Sequence, residues 1–386
     1  MGARTLLGAI LALAMGFGHA AEHPEARLIA ALDDMQAGRL DDALTGLDEL
    51  VRERPTFRLA QLFYSQLLSA MSGGGGAEVA IDASDPQFSG LIEEARVRLR
   101  QWEDGIPEDA LPDAILSLSD EHDYAILVDL HGARLYVLRN ENGTPRVIRH
   151  YYAAMGKAGA GKQVRGDNRT PIGVYHITDW LPGSGLPDLY GHGAYPVNYP
   201  NRWDRYRKRT GSGIWVHGVP SNTYSRPPRS SEGCVTVAND DLKALAPFIT
   251  PGKTPIVFAD RVEWLPEAEV AEQRKQLLAE IDSWRSHWSA MNTDAYLAYY
   301  ANDFSTGNMG RSRFAAHKRR VNNGKQFIDV QLADLALFRY PGEENLYLAQ
   351  FTQNYASDNY RSTTRKQQFW RKRTDGGWEI VKEESR

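Results

Sequence analysis

Among its 386 residues the sequence has one cysteine. A solitary thiol excludes a disulfide within the chain and any zinc site built on paired cysteines. No His-Glu-x-x-His stretch supplies a ligand pair either, so no metal and no other cofactor is expected. Long hydrophobic runs are scarce. The apolar stretch near the front, residues 6–15, is too short to span a bilayer, and no later run is long and apolar enough for a transmembrane segment. An excess of positive charge is also missing: the formal net charge is −4, which argues against the broad basic footprint of a nucleic-acid binder. The basic clusters at 202–209 and 361–373 read as solvated faces.

What is present begins with an export signal. Arg4 gives a positive start, residues 6–15 an apolar stretch, and Gly18-His19-Ala20 a small-x-small cleavage pattern before Ala21, so residues 1–21 read as a signal peptide. No cysteine stands at the cleavage point to carry a lipid. A cysteine exported without a partner is a free reactive thiol or an intermolecular bridge.

The length allows two or three domains. Residues 22–115 read as a helical module: Leu40, Ala43, Leu44, Leu47, Leu50 and Val51 recur at offsets of three and four, and Pro55 closes that helix. Further helices are expected over 59–68 and 88–102. The order Gly38, Ala43-Leu44, Pro55 resembles one tetratricopeptide helix pair, too few units for a solenoid. Residues 72–76 punctuate the module, and Pro107 and Pro112 mark a linker.

From Tyr124 the period changes to two. Residues 124–130 and 134–139 read as a hairpin, Asn142-Gly143 as the turn into a third strand over 146–153, and 254–258 as a closing strand. A β-rich domain over 120–260 follows, with long loops as far as Pro200 suited to carry a site. Beyond it, 267–290 and 293–300 read as helices. Residues 326–340, 345–354 and 363–382 read as strand runs, the last with an Asp375-Gly376-Gly377 turn. The fold class is multidomain α+β.

Cys234 lies in Ser230-Ser231-Glu232-Gly233-Cys234-Val235-Thr236-Val237, and His217 ends the run Ile214-Trp215-Val216-His217 before Gly218, 234 − 217 = 17 positions upstream. A thiol attacks as thiolate, and a histidine within reach can accept its proton. The gap is too long for one helical turn and suits neighbouring strands joined by a loop. The turn-rich segment 219–229 then crosses over the site. Gly233 lets the backbone approach closely, so that N–H groups near Cys234 can face a developing oxyanion; Ser231 supports that site or caps the turn.

These residues resemble the YkuD family of L,D-transpeptidases, whose signature is a histidine followed by a small residue, a gap, then Ser/Thr-x-Gly-Cys. Gly166-Asp167-Asn168-Arg169-Thr170-Pro171-Ile172-Gly173 is similar to that family's Gly-x-x-x-Thr-Pro-x-Gly element, and Tyr190-Gly191 with residues 196–201 is similar to the loop before its histidine. The order of two helices and then a sheet over 265–386 resembles the nuclear-transport-factor or SnoaL-like cone. A signal, a helical front, a YkuD domain and such a tail together resemble the subfamily that includes the cell-shape L,D-carboxypeptidases of Gram-negative bacteria.

The resemblance implies a periplasmic enzyme acting on peptidoglycan stem peptides. Cys234 attacks the carbonyl joining meso-diaminopimelate to the terminal D-alanine, His217 takes the thiol proton, and the Gly218 carbonyl orients His217. An amine then resolves the thioester as a transpeptidase does, or water as a carboxypeptidase does, and the sequence leaves that open. Two positions depart from the family pattern: Glu232 replaces a frequent second histidine, and Thr236 a frequent Arg or Asn. Arg169, Tyr199, Trp203, Arg226 and Glu232 are candidates for contacts to the stem, with packing or turn-capping as the competing role. Trp284, Trp288, Tyr296, Tyr299 and Tyr300, at helical spacing, read as cone core. The tail reads as a dimerising module. The rival reading is an envelope scaffold whose YkuD domain has lost turnover because of Glu232.

Overall fold

The structure, a computed structural model, describes residues 23–72 and 86–385; the expected signal at 1–21 and residues 73–76 of the glycine run lie outside the described residues. The chain forms two compact units, the first ending at Asp82 and the second beginning at Ala83. The first holds α1 (Pro24–Gln36), α2 (Leu40–Glu53) and α3 (Arg58–Met71). Gly38, in the left-handed region at φ 75°, turns the chain between α1 and α2. Leu28, Ile29 and Leu32 of α1 and Ala43, Leu47 and Leu50 of α2 are buried, as helical periodicity requires of facing stripes. Arg27 of α1 pairs with Glu53 and, at 3.4 Å, with Glu49 of α2.

α4 (Pro86–Asp104) completes the helical front of the chain and falls in the second unit. Part of its polar face is buried. Glu94 and Arg98, one turn apart at 2.8 Å, are 1% and 3% exposed. A charged pair is the last thing a hydrophobicity pattern marks as buried. The expected linker is structured too, as β1 (Ala110–Pro112) and β2 (Ile115–Ser117). Pro112 lacks an N–H but sits in a strand with one partner, where no second ladder is lost.

β3 (Tyr124–Asp129), β4 (Arg134–Glu141) and β5 (Thr144–Tyr152) form a meander, with Asn142 and Gly143 at φ 53° and 90° in the tight turn that Asn-Gly favours. Next come β6 (Met155–Gly156), β7 (Gly173–His176), β8 (Leu181–Pro182), β9 (Gly193–Pro196), α5 (Arg202–Tyr206), β10 (Trp215–His217), β11 (Arg229–Ser231), β12 (Val235–Thr236), α6 (Asn239–Leu245) and β13 (Pro255–Ala259). One sheet has the order β5-β4-β3-β13-β7 and another β12-β10-β9-β8. Ile126, Val128, Leu135 and Phe258 of the first share a buried cluster with Tyr195, Val216 and Val235 of the second.

β14 (Trp264–Pro266) pairs with β1 and leads into α7 (Glu267–Ser289), α8 (Thr293–Ala298), β15 (Tyr300–Thr306), β16 (Met309–Gly310) and α9 (Arg311–Asn322). β17 (Ile328–Arg339), β18 (Leu346–Ser357), β19 (Arg361–Lys372) and β20 (Trp378–Ser385) complete the chain. The run over 363–382 is the hairpin that its Asp375-Gly376-Gly377 turn predicts, β19 and β20 joined through Gly376 at φ 86°. α9 had no counterpart in the sequence reading, because only Phe314, Ala315 and Asn322 of its twelve residues are buried and no periodic stripe results. The sheet order is β16-β15-β20-β19-β18-β17-β2. Trp284, Trp288, Tyr296 and Tyr300 are buried in its core with Trp370.

The β5-β4-β3-β13-β7 sheet and this last sheet are not separate in packing. Leu127, Tyr136 and Leu138 share a third cluster with Phe338, Leu348 and Phe369, and β2, from before the β-rich domain, adds to the C-terminal sheet through Ile115 and Ser117. Among the described residues no helix is long and apolar enough to cross a membrane.

Candidate active site

β10 and β12 run parallel with Val216 opposite Val235 and His217 opposite Thr236. Side chains alternate along a strand. Since Val216 and Val235 point into the core, their neighbours Trp215, His217, Cys234 and Thr236 all project from the other face. The β-branched residues of the two short strands therefore do the aiming: they bring His217 and Cys234 to one surface as diagonal neighbours.

His217 is 3% exposed, and its Nδ1 lies 2.7 Å from the Gly218 carbonyl. A carbonyl can only accept, so Nδ1 carries the proton and Nε2 keeps a lone pair. Burial pushes this imidazole down to about 4; the Gly218 carbonyl opposes that and the charge of Arg226 adds to it. The Tyr190 ring stands edge-on to His217 at 5.0 Å and lies 4.9 Å from Trp215. Asn239, in the first turn of α6, fixes the backbone behind the histidine. Its Oδ1 accepts the N–H of His192 at 2.8 Å and of Val219 at 3.2 Å, and its Nδ2 donates to the Val219 carbonyl at 2.8 Å. A Cβ on Gly218 or Gly191 would lie 2.1 Å from that Oδ1, so the clamp needs glycine at both positions.

Cys234 is half-buried, and its thiol donates to the Gly213 carbonyl at 3.5 Å. Burial pushes the thiol up; the Trp215 N–H, Arg226 and Lys162 act against that, and Glu232 reinforces it. At neutral pH the resting site thus holds a neutral thiol beside a neutral imidazole. The turn before the cysteine is built by Ser231, whose Oγ donates to the Cys234 carbonyl at 2.6 Å and accepts the Gly233 N–H at 3.1 Å. Gly233 has φ 125°, and a Cβ there would lie 2.8 Å from the Arg169 carbonyl. The structure thus engages the Gly233 N–H inside the turn.

The other expected residues divide. Arg226, half-buried on the crossing segment, donates to the Ser230 carbonyl at 2.5 Å, and its charge acts on both Cys234 and Glu232. Glu232 is exposed two residues before Cys234, 3.8 Å from Lys157. Arg169 is exposed and donates to the Ala160 carbonyl at 2.8 Å, with its own carbonyl packed on Gly233. Tyr199 is buried and donates to the Thr210 carbonyl at 3.1 Å. Trp203 is buried too, its Nε1 donating to Glu343 at 2.9 Å. These last two are packing groups.

Sequence reasoning missed Lys162 and Asn239, and it placed Tyr190 in the loop before His217 without its ring contact. Lys162 is 4% exposed and pairs with Asp167 at 2.7 Å; despite the burial that opposes it, Asp167 is held down to about 2 by Lys162 and by backbone N–H groups. An aspartate two residues before Arg169 in the Gly-x-x-x-Thr-Pro element was the available signal. Nothing local marks Asn239. Among the described residues no three His, Cys, Asp or Glu side chains are grouped to hold a metal.

Residues 123–258 match the YkuD family model, the L,D-transpeptidase catalytic domain, and residues 276–384 match the Cds6 C-terminal NTF2-like domain. Among solved structures, Bd1075 of Bdellovibrio bacteriovorus is 30% identical, with a TM-score of 0.64 over 72% of this chain and 98% of that one. The helical cell shape determining protein Pgp2 of Campylobacter jejuni is 23% identical, with a TM-score of 0.59 over 74% of this chain and 99% of that one. No curated protein matches the chain.

Proposed function

Because the chain belongs to the family that joins a YkuD L,D-transpeptidase catalytic domain to a C-terminal NTF2-like domain, we propose that Cys234 and His217 cleave the L,D bond between meso-diaminopimelate and the terminal D-alanine of peptidoglycan tetrapeptide stems. The observation that carries this reading is the imidazole whose Nδ1 is tied to the Gly218 carbonyl, on the same strand face as a half-buried thiol. That bond leaves the Nε2 lone pair free to take a proton.

The steps follow from that geometry. His217 Nε2 takes the thiol proton as the Cys234 sulfur bonds to the diaminopimelate carbonyl carbon. Collapse of the tetrahedral adduct breaks the C–N bond, and the imidazolium returns the proton to the departing D-alanine amine. The thioester is then attacked by water or by the amine of a second stem, again with His217 as base, and the thiol is restored. Ser231 and Gly233 hold the cysteine turn in this scheme. Export through residues 1–21 to the periplasm and dimerisation through the C-terminal domain belong to the same proposal; sedimentation of the mature chain tests the second.

The test is purified mature protein with disaccharide-tetrapeptide. Release of D-alanine, a thioester adduct at Cys234 seen by mass spectrometry, and loss of both in Cys234→Ala are expected. Tripeptide products mark hydrolysis and crosslinked dimers mark transpeptidation. No D-alanine, together with a Cys234 that resists a thiol-directed carbapenem, would sink the enzyme reading and leave the scaffold.

A further inference from the structure

The segment that crosses from His217 to Cys234 is gripped from outside by α4. Ser225 Oγ donates to Glu94 Oε1 at 2.7 Å. Glu94 is paired with Arg98 at 2.8 Å, the Arg98 guanidinium lies 3.8 Å from the centre of the Tyr152 ring, and the Tyr152 hydroxyl donates to the Arg226 carbonyl at 2.8 Å. These contacts close a ring that holds the chain on both sides of Arg226. Two more lie beyond it. A Cβ on Gly90 would be 2.8 Å from Pro227 Cγ, and Arg229 pairs with Glu93 at 3.4 Å. Residues 225, 227 and 229 thus face α4, while the charge of Arg226 acts on Cys234, His217 and Glu232.

Arg226 is a half-buried cation that pairs with no carboxylate among the described residues. Taking a guanidinium out of water without a counter-ion is costly, and a ligand carboxylate removes that cost with planar, two-pronged geometry. We propose that Arg226 binds the free carboxylate of the leaving amino acid, and that α4, through Glu94 and Ser225, positions it for that contact. This rests on the thioester reading above. In that substrate the carboxylate is one Cα beyond the scissile amide, so a guanidinium anchored on the Ser230 carbonyl, four residues before Cys234, can meet it. A stem longer by one residue carries its carboxylate about 3.5 Å further along. Arg226 therefore selects stems with a free terminus immediately after the scissile bond.

The experiment compares the full-length mature chain on a tetrapeptide ending in D-alanine and on the same peptide ending in D-alaninamide. Wild type should favour the acid by about a hundredfold in kcat/KM, mostly through KM. Arg226→Ala should bring that ratio close to one, and Arg226→Lys should recover part of it. Glu94→Gln, Ser225→Ala and Gly90→Ala should each narrow it. The last matters because alanine favours a helix interior, so a narrower ratio there comes from pressure on Pro227 and not from a weakened helix. An Arg226→Ala enzyme with the wild-type ratio, or a wild type that turns over acid and amide equally, overturns the proposal and leaves the thioester reading standing. A wild type that cleaves neither and forms no adduct at Cys234 overturns both. If Arg226→Ala loses the preference while the three α4-side variants keep it at the wild-type value, the positioning role of α4 is overturned.

Discussion

Around Cys234 burial drives both groups neutral, whereas around Glu383, in the core of the C-terminal sheet, burial is answered by a hydrogen-bonded lysine and a second cation nearby. Glu383 is 6% exposed, yet its carboxyl is held below its ordinary value: against the burial that raises it stand Lys366 at 2.8 Å, Gln368 at 2.9 Å and the nearby charge of Lys318. Lys318 lies 4.1 Å from the centre of the Trp288 ring and is itself pushed down to about 8 by burial, with Glu383 opposing. In the cleft, among the described residues, no carboxylate bonds His217, and the polar partner of its Nδ1 is the Gly218 carbonyl. The difference teaches that burial alone does not set protonation; the presence of a bonded counter-ion does. One arrangement keeps charges in place, and the other keeps a base free of its proton.

The largest effect should come from removing that base. His217→Ala is expected to lower kcat for D-alanine release by about 10³-fold, with the unfolding transition nearly unchanged, as read by stopped assays beside a urea titration. A variant with near-normal turnover would mean the proton goes elsewhere. On the other side of the comparison, Glu383→Gln keeps the shape but leaves Lys366 and Lys318 without their counter-ion. Breaking a buried pair costs about 3–5 kcal/mol, so the urea midpoint should fall markedly. Turnover per folded molecule should hold. If stability holds instead, the ion pairs of the C-terminal sheet are worth no more than surface ones.

Acid separates the two regions further. The folded value for His217 lies below its ordinary 6.5, so the unfolded chain takes the proton first and stability is lost as pH falls from about 6.5 to about 4. Glu383 is also lowered in the fold, from 4.5. Its contribution is present above that value and is lost only as pH falls through the still lower folded one. Chemical denaturation across pH should therefore show two windows, each with a slope of up to about 1.4 kcal/mol per pH unit. Variants at His217 and Glu383 should each flatten their own. The acid limb of kcat/KM should also lie below the usual histidine range, and should move up in Arg226→Ala, since that charge helps to lower His217. A limb near 6.5 in wild type would mean the imidazole is not desolvated.

How much of this was legible follows from how local each feature is. His217 ends one short strand and Cys234 immediately precedes another, and Val216 and Val235 alternate with them, so the pattern of period two already assigns their face. The Asn142-Gly143 turn and the aromatic core of the C-terminal sheet were legible for the same reason. Asn239, the Tyr190 ring contact, Lys162 and the seat of α4 were not, because each acts through residues distant in sequence: Asn239 on Val219 and His192, α4 on Ser225 and Pro227. The buried Glu94–Arg98 pair reads in sequence as a solvated face, and β2 as a linker, until the sheet that receives it is seen.

The smallest expected effect sharpens the comparison at one atom. Thr236 is 2% exposed, lies opposite His217 in the ladder, and its Oγ1 is buried without a hydrogen-bond partner among the described residues, whereas Glu383 accepts from Lys366 and Gln368. An unpaired buried hydroxyl costs stability, and a methyl of the same shape relieves that cost. Thr236→Val should raise the urea midpoint by an amount equivalent to about 1 kcal/mol or less. A fall of similar size would mean that the hydroxyl is bonded in solution, through water or a strand shift, and that the cleft is as fully satisfied as the C-terminal core. A rise would place Thr236 with His217 and Cys234 as groups the fold holds at a cost, on the one face of β10 and β12 where a substrate would lie.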